Sequence, residues 1–374
     1  MKVFIVGKYN TFTNALIQKL HKENDKVYVL TGENYHGDKP HAVFEQYAFP
    51  YSSDSIVEIL DSIQPDVILF TGAYDTNFQW RNIRNESMHY LSGLINIILS
   101  AESHKIKHFI YLSSHQAFDA NADEQIQPDD KTTANNYTGI AIVQGEELCR
   151  HFNETTELNI SILRIDHMYK TPESAEDVDD ICSRLCLEAI QKETVKVDNN
   201  QVFSMIHLSD VVFGLYDFIH AKAHKDFIYQ LSSACPVTEL DIAHAIQTVD
   251  SSISIEDNTT GGKRQIILDN QAFCREFHFS IFHTYEKAIP EIFKKMRRNR
   301  KKYLSNSEKN KKPNSKFVQR FKALVRSLIP FIENCIIFIP VFMINNRAVG
   351  SQYFDRLDFF LLYVLLFAGT YGTK

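Results

Sequence analysis

The sequence predicts an α/β domain with a doubly wound parallel sheet across residues 1–293, and three observations support this class. Short runs of β-branched and aromatic residues recur along the chain, each bounded by polar or small residues, as is typical of buried parallel strands. Segments with apolar residues at helical spacing follow these runs, which is the order of βαβ units. The first run also leads through a short turn directly into a helix.

Each predicted element follows from its local pattern. The expected strands lie at residues 3–6, 26–30, 65–73, 109–112, 158–164 and 227–233. The first expected helix ends near Leu20 and has an apolar face. Further helices are expected at 56–63, at 93–101, from Tyr137 onward, from the Thr238 cap to residue 246, and at 284–293. His207 and Asp210 form a polar pair that we expect to fix the start of another helix rather than to act in catalysis.

Hydroxyl groups mark the carboxyl end of the strand at 109–112. Ser113 and Ser114 follow it directly, and Tyr137 opens the next helix. Ligands bind at this edge of an open α/β sheet, so Ser114 and Tyr137 form a candidate proton-relay pair. A strand that simply ends in a serine-capped turn is the alternative.

The order of these segments resembles the extended short-chain dehydrogenase/reductase family, the NAD-dependent sugar-nucleotide epimerases and dehydratases. The resemblance is carried by Tyr-Leu-Ser-Ser at 111–114, the segment opened by Tyr137, Leu163-Arg164 with Met168-Tyr169, and the segment 203–212. It implies that Ser114 and Tyr137 hold the family's catalytic positions. It also implies a Rossmann-type fold with a smaller substrate-side portion after residue 165, an NAD or NADP cofactor, and a nucleotide-sugar substrate.

The same resemblance implies where a dinucleotide would lie, namely in the turn after the first strand and beside the end of the third. The implied cofactor-binding residues are Gly7, Asn10, Thr11, Phe12, Gly72 and Ala73. An ordinary turn without a ligand is the alternative for the first group, and small residues also suit a tight strand exit in the second.

Several decisive positions depart from the family pattern. Asn10 and Thr13 replace the second and third fingerprint glycines, and Thr31 stands where an acidic residue usually binds the adenosine ribose. Ala141 replaces the lysine whose ammonium lowers the pKa of the catalytic phenol and holds the nicotinamide ribose. Tyr90 replaces an asparagine and Lys170 a glycine. These losses predict weak or absent cofactor binding.

Charge is strongly segregated along the chain. Residues 1–293 carry 42 acidic against 23 basic side chains, whereas 294–326 carry 14 basic and one acidic. So acidic a globule repels phosphate backbones, which argues against nucleic-acid binding. The six cysteines form no Cys-x-x-Cys pair, so we expect neither a disulfide framework nor a metal site, and Cys182 and Cys186 should pack in the core.

The C-terminal part predicts a basic linker at 294–326 followed by membrane helices at 327–374. Residues 328–344 and 359–371 are predominantly apolar and together suggest a helical hairpin. Interfacial or partner-binding helices are the alternative. Basic residues before the first run predict that the N-terminal domain is cytoplasmic and attached to the cell membrane. The end soon after the second run is also compatible with a truncated piece of a larger membrane protein.

Two functions remain in competition. In the first, the chain is a membrane-anchored epimerase/dehydratase-like protein with impaired catalysis, which binds or scaffolds partners among the membrane proteins of cell-surface polysaccharide synthesis. In the second, it is an active enzyme that uses Tyr137 as general base and Ser114 to bind the sugar hydroxyl. The absent lysine at Ala141 favours the first.

Overall fold

A computed structural model describes residues 1–31, 39–48, 51, 54–72, 83–119, 125–260 and 264–304. The strands are β1 Lys2–Val6, β2 Lys26–Leu30, β3 Glu45–Tyr47, β4 Val67–Phe70, β5 His108–Ser114, β6 Ile160–Ile165, β7 His167–Tyr169, β8 Thr194–Val197, β9 Gln201–Phe203, β10 Met205–His207, β11 Ile228–Leu231, β12 Ser254–Asp257 and β13 Arg264–Ile266. The helices are α1 Thr11–Lys22, α2 Ser55–Ile63, α3 Ile83–Ser103, α4 Tyr137–Thr155, α5 Ile181–Lys192, α6 Leu208–His220, α7 Glu239–Gln247, α8 Gln271–Phe277 and α9 Tyr285–Arg298.

Seven of the described strands form one parallel sheet in the order β11-β6-β5-β4-β1-β2-β3. The chain leaves β1 in one direction through β2 and β3 and returns to the other side through β4, so the strand order reverses between β1 and β4. Ligands of doubly wound sheets bind at this switch point. The predicted parallel α/β class is therefore confirmed. The short strand β3 was not predicted from the sequence.

Two apolar layers cover the faces of this sheet. Phe12, Leu16 and Leu20 of α1 are buried on one face with residues of α6 and α8. Residues of α2, α3 and α4 bury the other face. Apart from β3, the strands of this sheet are buried on both sides, which explains why they are continuous apolar runs rather than alternating ones.

A smaller portion follows β6, as expected for the substrate side. Three two-stranded parallel pairs, β7 with β10, β8 with β12 and β9 with β13, accompany α5, α7 and α9 around a separate apolar cluster. Cys182 and Cys186 are fully buried in that cluster, as the sequence predicted. Thr238 caps α7, as the sequence predicted. At the start of α6 only His207 of the predicted pair acts as a cap, by accepting a hydrogen bond from the Ser209 amide, whereas Asp210 accepts from the His283 amide.

The folded unit extends beyond residue 293. Helix α9 continues to Arg298, and Tyr303 is buried with its hydroxyl donating to the Pro172 carbonyl over 2.8 Å. The beginning of the predicted linker is therefore helical. Within the described part of the chain, no helix has the length and apolar character needed to cross a bilayer. The predicted membrane hairpin lies outside the described residues.

Candidate functional site

The carboxyl ends of β1 and β4 come together as the sequence predicted. Gly7 follows β1, and a Cβ atom added there would collide with the Thr71 hydroxyl beyond β4. The Thr71 amide also donates to the Val6 carbonyl over 2.8 Å. Gly7 is thus required for strand packing at the switch point. Gly72 lies at the same edge, whereas Ala73 is outside the described residues.

The N-terminus of α1 is capped by the residues that replace the fingerprint glycines. The Asn10 side chain accepts from the Thr13 amide, and the Thr13 hydroxyl accepts from the Asn10 amide, each over 2.8 Å. This reciprocal capping box uses two of the amides that a bare helix start leaves to a ligand. Phe12 points into the apolar core and is 1% exposed, so its side chain has a packing role.

A carboxylate from the substrate-side portion also lies at this helix start. The Thr11 hydroxyl donates to Asp177 Oδ1 over 2.7 Å. The positive end of a helix dipole is where a Rossmann-type protein holds the pyrophosphate of its dinucleotide. With an acidic side chain already there, the arrangement does not fit a pyrophosphate unless Asp177 moves.

The ribose position at the end of β2 is likewise engaged within the fold. Thr31 is buried, and its hydroxyl donates to the Tyr47 carbonyl over 3.2 Å. Its side chain therefore closes the gap between β2 and β3. Thr31 therefore has a packing role, and its position has no carboxylate to bind a ribose diol.

Ser114 and Tyr137 lie on adjoining elements but in different environments. Ser114 is buried, and its side chain accepts from the Gln116 amide over 3.2 Å as the cap of a short 3-10 turn. Tyr137 is 69% exposed at the first position of α4. Gly139, in the first turn of α4, packs so closely on the Gln116 carbonyl that an added Cβ would collide with it. The predicted pair is therefore brought to one end of the sheet.

The lysine position is filled by apolar packing. Ala141 is 3% exposed and belongs to the buried cluster that contains Phe70, Tyr90 and Tyr111. The Tyr90 and Tyr111 hydroxyls are hydrogen-bonded to each other, and Tyr111 also donates to the Ile142 carbonyl over 3.0 Å. Tyr90, at the family's asparagine position, and Ala141 thus belong to the same buried apolar cluster.

A buried ion pair fastens α4 to the sheet, and sequence reasoning missed half of it. Arg164 at the end of β6 donates from Nε and Nη2 to the two oxygens of Glu146 over 2.9 and 2.7 Å. The Ser113 hydroxyl donates to the same carboxylate, and the guanidinium also bonds the Pro128 carbonyl. Both charged side chains are 2% exposed. The sequence could have indicated this ion pair, because Glu146 lies on the buried face of a predicted helix and Arg164 lies in a predicted buried strand.

A second polar cluster lies at the ends of β5 and β6. Among the described residues, His115, Asp166 and His167 place ligating atoms within 4.8 Å of one another. Their imidazoles stack 3.5 Å apart, and burial followed by the neighbouring His167 holds the pKa of His115 well below its usual value. Asp166 accepts from the His167 amide over 2.7 Å and from the hydroxyls of Ser204 and Ser232. With its oxygens engaged and the rings face to face, the cluster is better explained as a polar anchor than as a metal site.

Asp180 gives the substrate-side portion a pH-dependent stability. Its carboxylate caps α5 by accepting from the Ser183 amide over 2.9 Å, while Oδ2 is buried without a hydrogen-bond partner among the described groups. Burial raises the pKa of Asp180 to about 6. Since an unfolded aspartate titrates near pH ~4, the stability from its neutral form is complete below pH ~4 and is lost as the pH rises through about 6.

We therefore expect Asp180→Asn to stabilise the protein at neutral pH, because asparagine keeps the cap without a buried charge. The gain in unfolding free energy should be about 3 kcal/mol at neutral pH and should disappear toward pH ~4. Urea unfolding of both proteins at the two pH values measures it. A difference that does not vary with pH would contradict the assignment.

Comparison with known proteins places this geometry in context. The model of the RmlD substrate binding domain family matches residues 1–297. UDP-glucose 4-epimerase from Thermotoga maritima, solved with UDP-glucose, superposes with a TM-score of 0.68 at 14% identity, covering 80% of this chain and 99% of the epimerase. None of the curated proteins compared with the chain matches it.

Two solved complexes with NAD have the same fold. The dTDP-glucose 4,6-dehydratase of Bacillus anthracis gives a TM-score of 0.66 at 12% identity, covering 82% of this chain and 99% of its own. UDP-glucose 4-epimerase from Thermus thermophilus gives 0.65 at 11%, covering 79% and 99%. At these identities the structural likeness establishes the fold, while the family match covers most of the chain. The chain therefore belongs to the RmlD substrate-binding-domain family.

Proposed function

We propose that this protein is a catalytically impaired member of its family that serves as a binding or scaffolding module in cell-surface polysaccharide biosynthesis. The observation that carries the proposal is Ala141, which is buried in an apolar cluster at the position of the family's lysine. Without an ammonium there, the phenol of Tyr137 lacks the charge that favours its ionised form. The nicotinamide ribose likewise loses a hydrogen-bond donor.

The proposal predicts a chain that neither binds a nicotinamide cofactor at millimolar concentration nor turns over a sugar nucleotide. Calorimetric titration of the full-length protein with NAD+, NADH, NADP+ and NADPH tests the first part. Chromatography of UDP-glucose and dTDP-glucose incubations tests the second. Nucleotide-sugar binding without conversion would support a binding module, whereas conversion of either sugar would contradict it.

Active catalysis is the second candidate, and the placement of Tyr137 favours it. Tyr137 is exposed at the start of α4, close to the turn capped by Ser114, so both groups remain at the ligand-binding edge. In this case Tyr137 would remove a sugar hydroxyl proton and Ser114 would bind that hydroxyl. Turnover that is abolished by Tyr137→Phe, with folding unchanged, would select this candidate.

The proposed setting is the cytoplasmic face of the cell membrane, with attachment through residues 327–374. The apolar character of 328–344 and 359–371 and the preceding basic segment support it. The proposed partners are polysaccharide-synthesis membrane proteins, with a nucleotide sugar as the small-molecule ligand. Retention in the membrane fraction after an alkaline carbonate wash tests the attachment, and release into the wash would contradict insertion.

A further inference from the structure

The segment after β7 is fastened by a buried ammonium. Lys170 Nζ donates to Asp177 Oδ1 over 2.8 Å, to the Asp177 carbonyl over 2.8 Å, and to Asp179 Oδ1 over 2.7 Å. The lysine side chain is 2% exposed, and those of Asp177 and Asp179 are 16% and 6% exposed. A buried ammonium requires such partners, because an unpaired charge is costly to desolvate. Lys170 therefore fixes residues 173–180 in one conformation.

The same segment reaches the first turn of α1. Asp177 Oδ1 accepts from the Thr11 hydroxyl over 2.7 Å, while Oδ2 accepts from the Glu173 amide over 2.8 Å. Burial opposes ionisation of Asp177, but the hydrogen bonds from Lys170 and Thr11 hold its pKa below the usual value. Hydrogen bonding to Asp177 and Asp179 likewise raises the pKa of Lys170 against the effect of burial. An ionised carboxylate thus lies at the positive end of the helix, where negative charge is favoured.

We propose that residues 173–180 form a latch that closes the dinucleotide site, with the Asp177 carboxylate taking the place of a ligand phosphate at the start of α1. A dinucleotide would have to break the contact with Thr11 and move a segment that Lys170 holds. The apparent affinity for the dinucleotide is therefore the intrinsic affinity multiplied by the fraction of molecules in which the latch is open. A glycine at position 170, as in the family pattern, would provide no such fastening.

The capping residues of α1 add to the effect without replacing it. Asn10 and Thr13 satisfy each other's amides, so this helix start is stable without an external anion. The latch rests on the proposed function in one respect, since it gives a physical cause for weak cofactor binding. The latch goes beyond the proposed function because it predicts that a substitution at Asp177, away from Ser114 and Tyr137, restores cofactor binding.

The test is a fluorescence titration of NADH into the full-length protein and two variants. Asp177→Ala removes the carboxylate, and Asp177→Asn retains its shape without its charge. The unaltered chain should show no NADH binding at millimolar concentration, whereas Asp177→Ala should bind NADH with a dissociation constant at least about tenfold below the highest concentration tested, with Asp177→Asn in between. Inorganic pyrophosphate should compete with NADH in Asp177→Ala, because the anion site is then open.

Asp257→Ala is the matched control. Asp257 also accepts a backbone hydrogen bond, from the Thr259 amide over 2.9 Å, but it lies on β12. The Asp257→Ala variant should therefore have the same NADH affinity as the unaltered chain. Thermal unfolding shows whether Asp177→Ala is folded. If it is not, the affinity of Asp177→Asn is compared with that of the unaltered chain, because asparagine can keep hydrogen bonds at this position. Affinities of the folded Asp177 variants equal to that of the unaltered chain would overturn the latch.

Failure of the latch and failure of the proposed function give different results. Sugar-nucleotide turnover by the unaltered chain would refute catalytic impairment while leaving the effect of Asp177 to be read from the titration. Equal NADH affinities in the variants would refute the latch alone. Tighter binding in Asp177→Ala without turnover would support both, because the position of Ala141 still lacks its ammonium.

Discussion

Glu146→Ala is expected to lower the free energy of unfolding by about 3–5 kcal/mol, because it leaves the Arg164 guanidinium buried without its carboxylate. The Ser113 hydroxyl loses its acceptor in the same step. This pair joins α4 to the ends of β5 and β6, so its loss should also disorder the start of the helix that carries Tyr137. Urea unfolding measures the first effect, and hydrogen exchange of α4 amides measures the second.

A surface pair provides the control for this measurement. Glu188 and Lys192 are one turn apart on α5 and 2.8 Å from each other, with the lysine 57% exposed. Glu188→Ala should cost less than about 0.5 kcal/mol, since solvent already screens the pair. The double variant Glu146→Leu with Arg164→Met should recover much of the loss. If Glu146→Ala were as mild as Glu188→Ala, the ion pair would not be the fastening that we describe.

Ala141→Lys is expected to destabilise the protein by about 3 kcal/mol rather than to restore an active site. The position is 3% exposed and belongs to a buried apolar cluster, so the new ammonium would lose its hydration without a charged partner. A lysine at position 141 alone is therefore not expected to restore catalysis, because apolar side chains occupy the space that its side chain would need. Thermal unfolding, together with a turnover assay on the folded fraction, measures both parts.

Ala141→Met separates the effect of charge from that of size. Methionine has a comparable length without the ammonium, so it should cost only about 1–2 kcal/mol through overpacking. A lysine variant as stable as the unaltered chain would mean that the aromatic cluster can admit the side chain. Turnover in that variant would show that Ala141 was the single missing group.

Much of the fold was accessible from the sequence because its strands are buried on both faces. Continuous apolar runs such as 67–70 and 109–112 have few alternatives once helical segments separate them. The family order then fixed the sheet edge at which Gly7, Gly72 and Ser114 meet. β3 escaped prediction, since Glu45–Tyr47 is three residues long and only partly buried.

The site was only partly accessible, for reasons that differ between residues. Ala141 and Thr13 were recognised as departures because each occupies a position with a known pattern. The apolar surroundings of Ala141 were not visible, since its buried cluster is assembled from separate elements of the chain. Sequence spacing does not record such contacts.

By itself, the sequence determined the parallel α/β class, the family, the acidic character of the first 293 residues, and the absence of a lysine beside Tyr137. These follow from residue type and order along the chain. Only the tertiary structure decided that Glu146 pairs with Arg164, and that Asp177 lies on the start of α1 although 166 positions separate it from Thr11. Local patterns report which groups must be buried, but the partner that neutralises a buried charge is chosen by the folded chain.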